Sequence, residues 1–263
     1  MVKARRWHMK YSTILYELSD GISQITINQP KVMNRLSNTV MKEIVYAAQS
    51  ADKDDNVEVI IITGAGEKAF CAGADLKELK HDSVLRIKED LDNYAELCLT
   101  FNSLKTPSIA MVRGYALAGG CGLAMLPTFT IASENAKFGT PEINVGMWPM
   151  MVMAILLRTV GKKRALDLIC SGRMIDAHEA ERIGMITKVV PDHQLENEVA
   201  ELANNLKNKS ATILGLGLEA FRNMADMEFS QAIAYLRDMA AIIATTPDSI
   251  KGRRAFVEKS APV

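Results

Sequence analysis

The chain has 263 residues, enough to bury a full core, and its 48% hydrophobic and 24% charged residues are ordinary proportions for a globular protein. Lysine plus arginine equal aspartate plus glutamate at 31 each, so no global field recruits nucleic acid or a membrane surface, although a local basic patch for a phosphorylated ligand stays open. The four cysteines, Cys71, Cys98, Cys121 and Cys170, form no CxxC or Cys/His cluster, which speaks against structural zinc and a disulfide framework and suits a reducing cytoplasm.

The N-terminus MVKARRWHMK is basic, but TILYELSDG after it is no signal-peptide core, so it reads as a frayed start. Residues 14–18 and 22–27 flank Ser19-Asp20-Gly21 and predict a β-hairpin with a short turn. Residues 38–51 carry Val40, Met41, Ile44, Val45 and Ala48 at helical spacing. The β-branched run 57–63 predicts a buried strand, as do 108–112 and 129–132. Strands alternating with helical segments argue for an α/β core. From Trp148 the pattern turns helical, over 148–158, 162–172, 177–183, 194–207, 210–225, 230–243 and 247–258, with one short strand at 186–190. The longest apolar run, 148–157, is too short for a bilayer, which needs roughly 20 residues. The expected organisation is an α/β core over 1–195 and a C-terminal helical region over 196–263.

Two strands end in glycine-rich loops. The first is followed by GAGEKAFCAGADLKELK, where Gly73-Ala74-Asp75 precedes a segment, 76–80, able to open a helix. The second is followed by GYALAGGCGL, where Gly119 opens the helical stretch 119–125. Each loop leaves backbone N–H groups at a helix start, where an anion is favoured. Two such donors aimed at one oxygen form an oxyanion hole, in which a single donor is worth ~2.7–4 kcal/mol of barrier. The same glycines equally serve tight packing or positive φ. Neither loop matches a phosphate loop or a dinucleotide fingerprint.

Lys68-Ala-Phe-Cys-Ala-Gly-Ala-Asp-Leu-Lys77, Gly114-Tyr-Ala-Leu-Ala-Gly-Gly-Cys121 and Phe138-Gly-Thr-Pro-Glu142 resemble successive signatures of the crotonase (enoyl-CoA hydratase/isomerase) superfamily. Asn28–Asn34, Gly172–Ala177, Ala180–Met185 and Ala255–Lys259 extend the similarity along nearly the whole chain. The resemblance implies a crotonase-like α/β spiral of ββα units, a C-terminal helical trimerisation region, and a homotrimer or homohexamer. It implies an acyl-CoA substrate, with coenzyme A part of that substrate and no separate cofactor or metal. By position, the N–H groups of Ala74 and Gly119 would hold the thioester oxygen as it becomes an enolate. Lys31, Val32 and Met33, with Ala72, Gly73, Asp75 and Leu76, would line the adenine site. Lys77 would lie near a CoA phosphate, and Lys259 would reach one from a neighbouring subunit; a solvated charge is the competing reading for both lysines.

The phrase GGCGL then stands out, because family hydratases carry glutamate where this chain has Gly122. The second family glutamate is kept as Glu142. A pair of glutamates suits syn addition of water; one is enough to move a proton between carbons, so isomerisation is slightly favoured. Hydration directed by one glutamate, and acyl-CoA binding without efficient chemistry, remain as alternatives. So does a carboxylate at 142 that merely satisfies a helix N-terminus. Gly122 is expected to open room for a bulkier acyl group. Trp148 and Met150 are candidates for touching an apolar acyl chain, whereas Met151 and Met153 read as core, and residues 81–89 as a mobile lid. Cys121 reads as packing, Asp75 as a turn and helix-start residue, Lys162-Lys-Arg164 as a solvated helix start, and no histidine sits at a ligand spacing.

Overall fold

The structure, a computed structural model, describes residues 11–75 and 83–258. β1 (Ile14–Ser19) and β2 (Ile22–Ile27) pair antiparallel through a turn with Asp20 and Gly21 at φ 50° and 76°. Two successive positive-φ residues match the twist of a tight hairpin, and Asp-Gly tolerates them. α1 (Asn38–Asp52) begins where the Ser37 hydroxyl accepts from the Val40 N–H, and it buries Val40, Met41, Ile44, Val45 and Ala48. There follow β3 (Val59–Gly64), β4 (Ala69–Cys71), α2 (Val84–Ser103), β5 (Ser108–Val112), β6 (Tyr115–Leu117), α3 (Gly119–Met125), β7 (Phe129–Ser133) and β8 (Lys137–Gly139). A 3-10 turn, Pro141–Val145, leads to α4 (Met150–Ser171), β9 (Met174–Asp176), α5 (Ala177–Arg182) and β10 (Lys188–Val190). The chain continues as α6 (Leu195–Lys207), α7 (Ala211–Met224), α8 (Phe229–Thr245) and α9 (Pro247–Val257).

The strands form two sheets. The larger has the order β1-β2-β3-β5-β7-β10, parallel except for β1 with β2; the smaller has the order β4-β6-β8-β9, parallel except for β8 with β9. A long strand in one sheet, a short strand in the other and a helix make one turn of a spiral, repeated as β3-β4-α2, β5-β6-α3 and β7-β8-α4. β3 is buried on both faces: Ile60 and Ile62 join the main core with α1, while Val59 and Ile61 pack under α6 with Leu195, Val199 and Ala203. That is why its sequence is a continuous apolar run rather than an alternation.

α6 is therefore a layer of the core. The helices that pack on one another, α7 with α8 and α9, begin at Ala211 rather than at 196. The two helices predicted over 148–158 and 162–172 are one run broken at Gly161, whose φ of 75° and ψ of 166° are non-helical. Val84 opens a 20-residue helix, so 84–89 of the segment expected as a mobile lid form its first, mostly exposed turns. His81 and Asp82 lie outside the described residues, as does the helix expected over 76–80.

Candidate active site

The two glycine loops meet. Gly73 sits at φ 89°, and a Cβ there would lie 2.7 Å from the Cβ of Ala118 and 3.2 Å from the nitrogen of Gly119. A Cβ on Gly120 would overlap the carbonyl oxygen of Cys71. Glycine at both places thus lets β4 and the start of α3 touch through their backbones. Ala118, at φ 53° and ψ −127°, occupies a conformation that costs a side-chain-bearing residue about 1–3 kcal/mol. It is held there by its N–H, which donates to the Gly139 carbonyl at 2.9 Å.

The outcome is a pair of free backbone donors. Leu36 N–H donates to the Gly73 carbonyl and Asp75 N–H donates to the Leu36 carbonyl, so the Ala74 N–H falls between them, off the ladder. Gly119 is the first residue of α3, where no intrahelical acceptor exists. Among the described residues neither N–H has a hydrogen-bond acceptor. Asn34, fully buried at φ 52°, ties the surrounding loops: its Oδ1 accepts from Gln29 N–H at 2.9 Å and its Nδ2 donates to the carbonyls of Ala65 and Ala69 at 3.0 and 2.7 Å.

Ala72, Ala74, Asp75, Gly119, Glu142, Trp148 and Met150 line one cavity of about 520 Å³. Glu142 enters it from the 3-10 turn, where Pro141 presets the backbone and the Met147 N–H closes the loop onto the Glu142 carbonyl at 3.0 Å. Its Oε2 is buried with no hydrogen-bond partner among the described residues. Burial pushes the carboxyl above its ordinary pKa, with its own N–H partly offsetting. Two other carboxylates line the cavity and are hydrogen-bonded: Asp75 Oδ1 accepts from Arg35 at 3.5 Å and Asp90 Oδ1 from Asn38 at 2.9 Å. The Cys121 thiol is fully buried and pushed up to about 12, chiefly by burial and secondarily by Glu142, which leaves it protonated and without a nucleophile's character.

The far wall is soft and apolar. Trp148, Met147, Met150 and Met151 line it, while Met153 stays out and receives the Trp148 indole N–H on its sulfur at 3.5 Å. Met151 and Met153 both pack against the core, as their sequence suggests, and Met151 also reaches the wall of the cavity.

Gly122 does not open room. It is buried, and a Cβ built on it would overlap the hydroxyl of Tyr94, so the space is already taken. Tyr94 comes from α2, is 8% exposed, lines the cavity and donates to the Gly119 carbonyl at 2.8 Å. Nothing in its local sequence marks it, because its importance comes from a contact 28 positions away along the chain. Lys31 and Val32 are exposed beside the cavity rather than on its wall, in the 3-10 turn Pro30–Val32, and Met33 accepts from the Ala72 N–H at 3.0 Å. Leu76, Lys77 and Lys259 lie outside the described residues.

Known proteins are similar to this chain over nearly its whole length. A family model described as enoyl-CoA hydratase/isomerase matches residues 17–263. A probable enoyl-CoA hydratase of Mycobacterium tuberculosis is 40% identical over 97% of this chain and 98% of its own. A crotonyl-CoA hydratase of Syntrophomonas wolfei is 34% identical over 95% of this chain and 97% of its own. Among solved structures, an enoyl-CoA hydratase from Bacillus anthracis superposes with a TM-score of 0.90 at 31% identity, covering 96% of this chain and 98% of its own. One from Mycobacterium smegmatis reaches 0.93 at 27% identity over 96% and 98%. A family model that matches from residue 17 to 263, and relatives up to 40% identical over 97% of the chain, show that the chain belongs to the enoyl-CoA hydratase/isomerase family.

Proposed function

We propose that the protein binds an acyl-CoA thioester, holds its enolate oxygen between the N–H groups of Ala74 and Gly119, and uses Glu142 as its acid/base to isomerise a 3-enoyl-CoA to the 2-enoyl ester. The observation that carries this reading is Glu142 Oε2, buried and without a hydrogen-bond partner among the described residues, in the same cavity as two free backbone donors, with no side chain at 122 to act beside it. Glu142 takes a proton from C2 and the electron pair moves into the thioester oxygen. As the pair returns, C2=C3 forms, C3=C4 opens, and Glu142 delivers the same proton to C4. The raised pKa suits a group that must take and give a proton within one turnover. Trp148, Met147, Met150 and Met151 would cover an apolar acyl chain. Lys31, Val32, Met33, Ala72, Gly73, Asp75 and Leu76 would border the adenine, with Lys77 and a neighbour's Lys259 near phosphate.

Hydration of a 2-enoyl-CoA by the single glutamate is the second reading, favoured by the names of the relatives. The acting species we infer is a cytoplasmic homotrimer or homohexamer. Its support is the apolar surface of the last two helices, where Phe229, Ile233, Ile242, Ile250, Phe256 and Val257 are exposed, and the absence of a membrane-length apolar helix among the described residues.

Turnover of a 3-enoyl-CoA and of crotonyl-CoA in heavy-oxygen water distinguishes the readings. Conversion of the 3-enoyl ester without label is expected; label in a 3-hydroxyacyl-CoA would make hydration the reaction. Silence on both with tight acyl-CoA binding would make it a binding protein. Glu142→Gln should lower turnover by about 10²–10⁴-fold while acyl-CoA binding survives, because the oxyanion donors are backbone groups.

A further inference from the structure

Tyr94 is a buried titratable group that the reaction just described does not use. Its ring lies against the first turn of α3: a Cβ on Gly119 would be 3.2 Å from Cε2, and one on Gly122 would overlap the hydroxyl. The hydroxyl proton is committed to the Gly119 carbonyl at 2.8 Å. The residue also lines the cavity that holds Glu142. It therefore stands where a side chain projecting from residue 122 would begin.

We propose that Tyr94 is a specificity-determining residue: by filling the space beside residue 122 it keeps both a second proton-handling side chain and a water away from the enolate, and so directs the intermediate to proton return instead of water addition. This rests on the isomerisation reading. The phenol cannot itself replace the missing acid. Burial, with Cys98, Cys71 and Cys121 around it, raises its pKa well above the ordinary tyrosine value, so it keeps its proton, and that proton already has an acceptor. On the α3 side the cavity thus meets a plug, whereas Glu142 faces the enolate from the 3-10 turn and can cycle one proton without exchange.

The test uses the full chain with a 3-enoyl-CoA and crotonyl-CoA in heavy-oxygen water, and separately in deuterium oxide. Gly122→Glu alone should bring no gain in labelled 3-hydroxyacyl product, because its Cβ has no room. Tyr94→Ala/Gly122→Glu and Tyr94→Leu/Gly122→Glu should raise the ratio of hydration to isomerisation about tenfold or more, the low end of what a positioned acid/base contributes. Equal gain from Gly122→Glu alone, or no gain in double variants that melt and bind acyl-CoA like the parent, would overturn the proposal. Tyr94→Phe, which removes only the hydroxyl, should raise deuterium incorporation into the isomerised product severalfold. Unchanged incorporation would show that the hydroxyl is not what excludes water. If the unmodified protein hydrates and does not isomerise, the underlying reading fails, and that result is visible before any variant is made.

Discussion

Glu142 carries opposite pH trends for activity and stability. As a base it must be ionised, and its pKa lies above the ordinary carboxylate value because burial disfavours the charge. kcat/KM should therefore rise with pH through a midpoint higher than the roughly 4.3 of a free glutamate, and then level off. Folding favours the protonated form, so the residue's contribution to stability is complete below its unfolded pKa and fades as pH rises through the folded one. In Glu142→Gln the acid limb should vanish and the melting temperature at neutral pH should equal or exceed the parent's; a lower melting temperature would mean the carboxylate holds a structural partner. The candidates Glu142, Ala74 and Gly119 were legible in sequence because each falls inside a contiguous motif. Tyr94 was not, since what defines it is an overlap with the Cβ that Gly122 lacks, and that overlap exists only after α2 packs on α3. The expectation of open room at Gly122 failed for the same reason: a glycine in sequence shows that a side chain is missing, not what fills the gap.

At the scale of elements, α3 is placed by backbone contact with β4 rather than by side chains. Gly120→Ala would drive a methyl group into the Cys71 carbonyl, which cannot move without disturbing β4. We expect a loss of ~1–3 kcal/mol in urea unfolding, the cost typical of overpacking, with catalysis falling further than stability because the Gly119 donor shifts with the helix. Elements with a strong period were readable before any coordinates: the hairpin, α1, β3, β5, β7 and the helices from α5 onward. The strands of the smaller sheet were not, since β4, β6, β8 and β9 are three residues each, too short for an alternation to show. α2 was missed because its buried face is only Tyr94, Leu97, Thr100 and Phe101, while much of the rest meets solvent and reads as a polar loop.

Among the described residues, several large apolar side chains of the last two helices face solvent. Phe256 is 85% exposed and Phe229 77%, on the last two helices, beyond the layer that α6 supplies to the core. Clustered exposed side chains of this kind mark interaction sites, among them contacts with another subunit. Sedimentation at micromolar concentration should return the mass of three or six chains, and Phe256→Glu should shift it toward one; a monomeric parent would remove the assembly from the proposal. The expected division at 195/196 came from the run of helical patterns that follows Trp148. Helices do dominate the end of the chain, but α6 is amphipathic toward the sheet and belongs to it, which no count of helical residues reveals.

The meeting of Gly73 with Ala118 and Gly119 has a consequence for how this scaffold changes over time. The groups proposed to hold the charged intermediate are main-chain atoms, so most substitutions would leave them in place, provided the few glycines at the contact survive. In the reaction proposed, the groups that decide the intermediate's fate are side chains on separate segments, Glu142 on one turn and Tyr94 on α2. On that reading, binding of the unstable species and choice of product rest on separate parts of the chain. A lineage can exchange one reaction for another at two positions while the hard part of catalysis, shelter for an oxyanion, passes unaltered from ancestor to descendant.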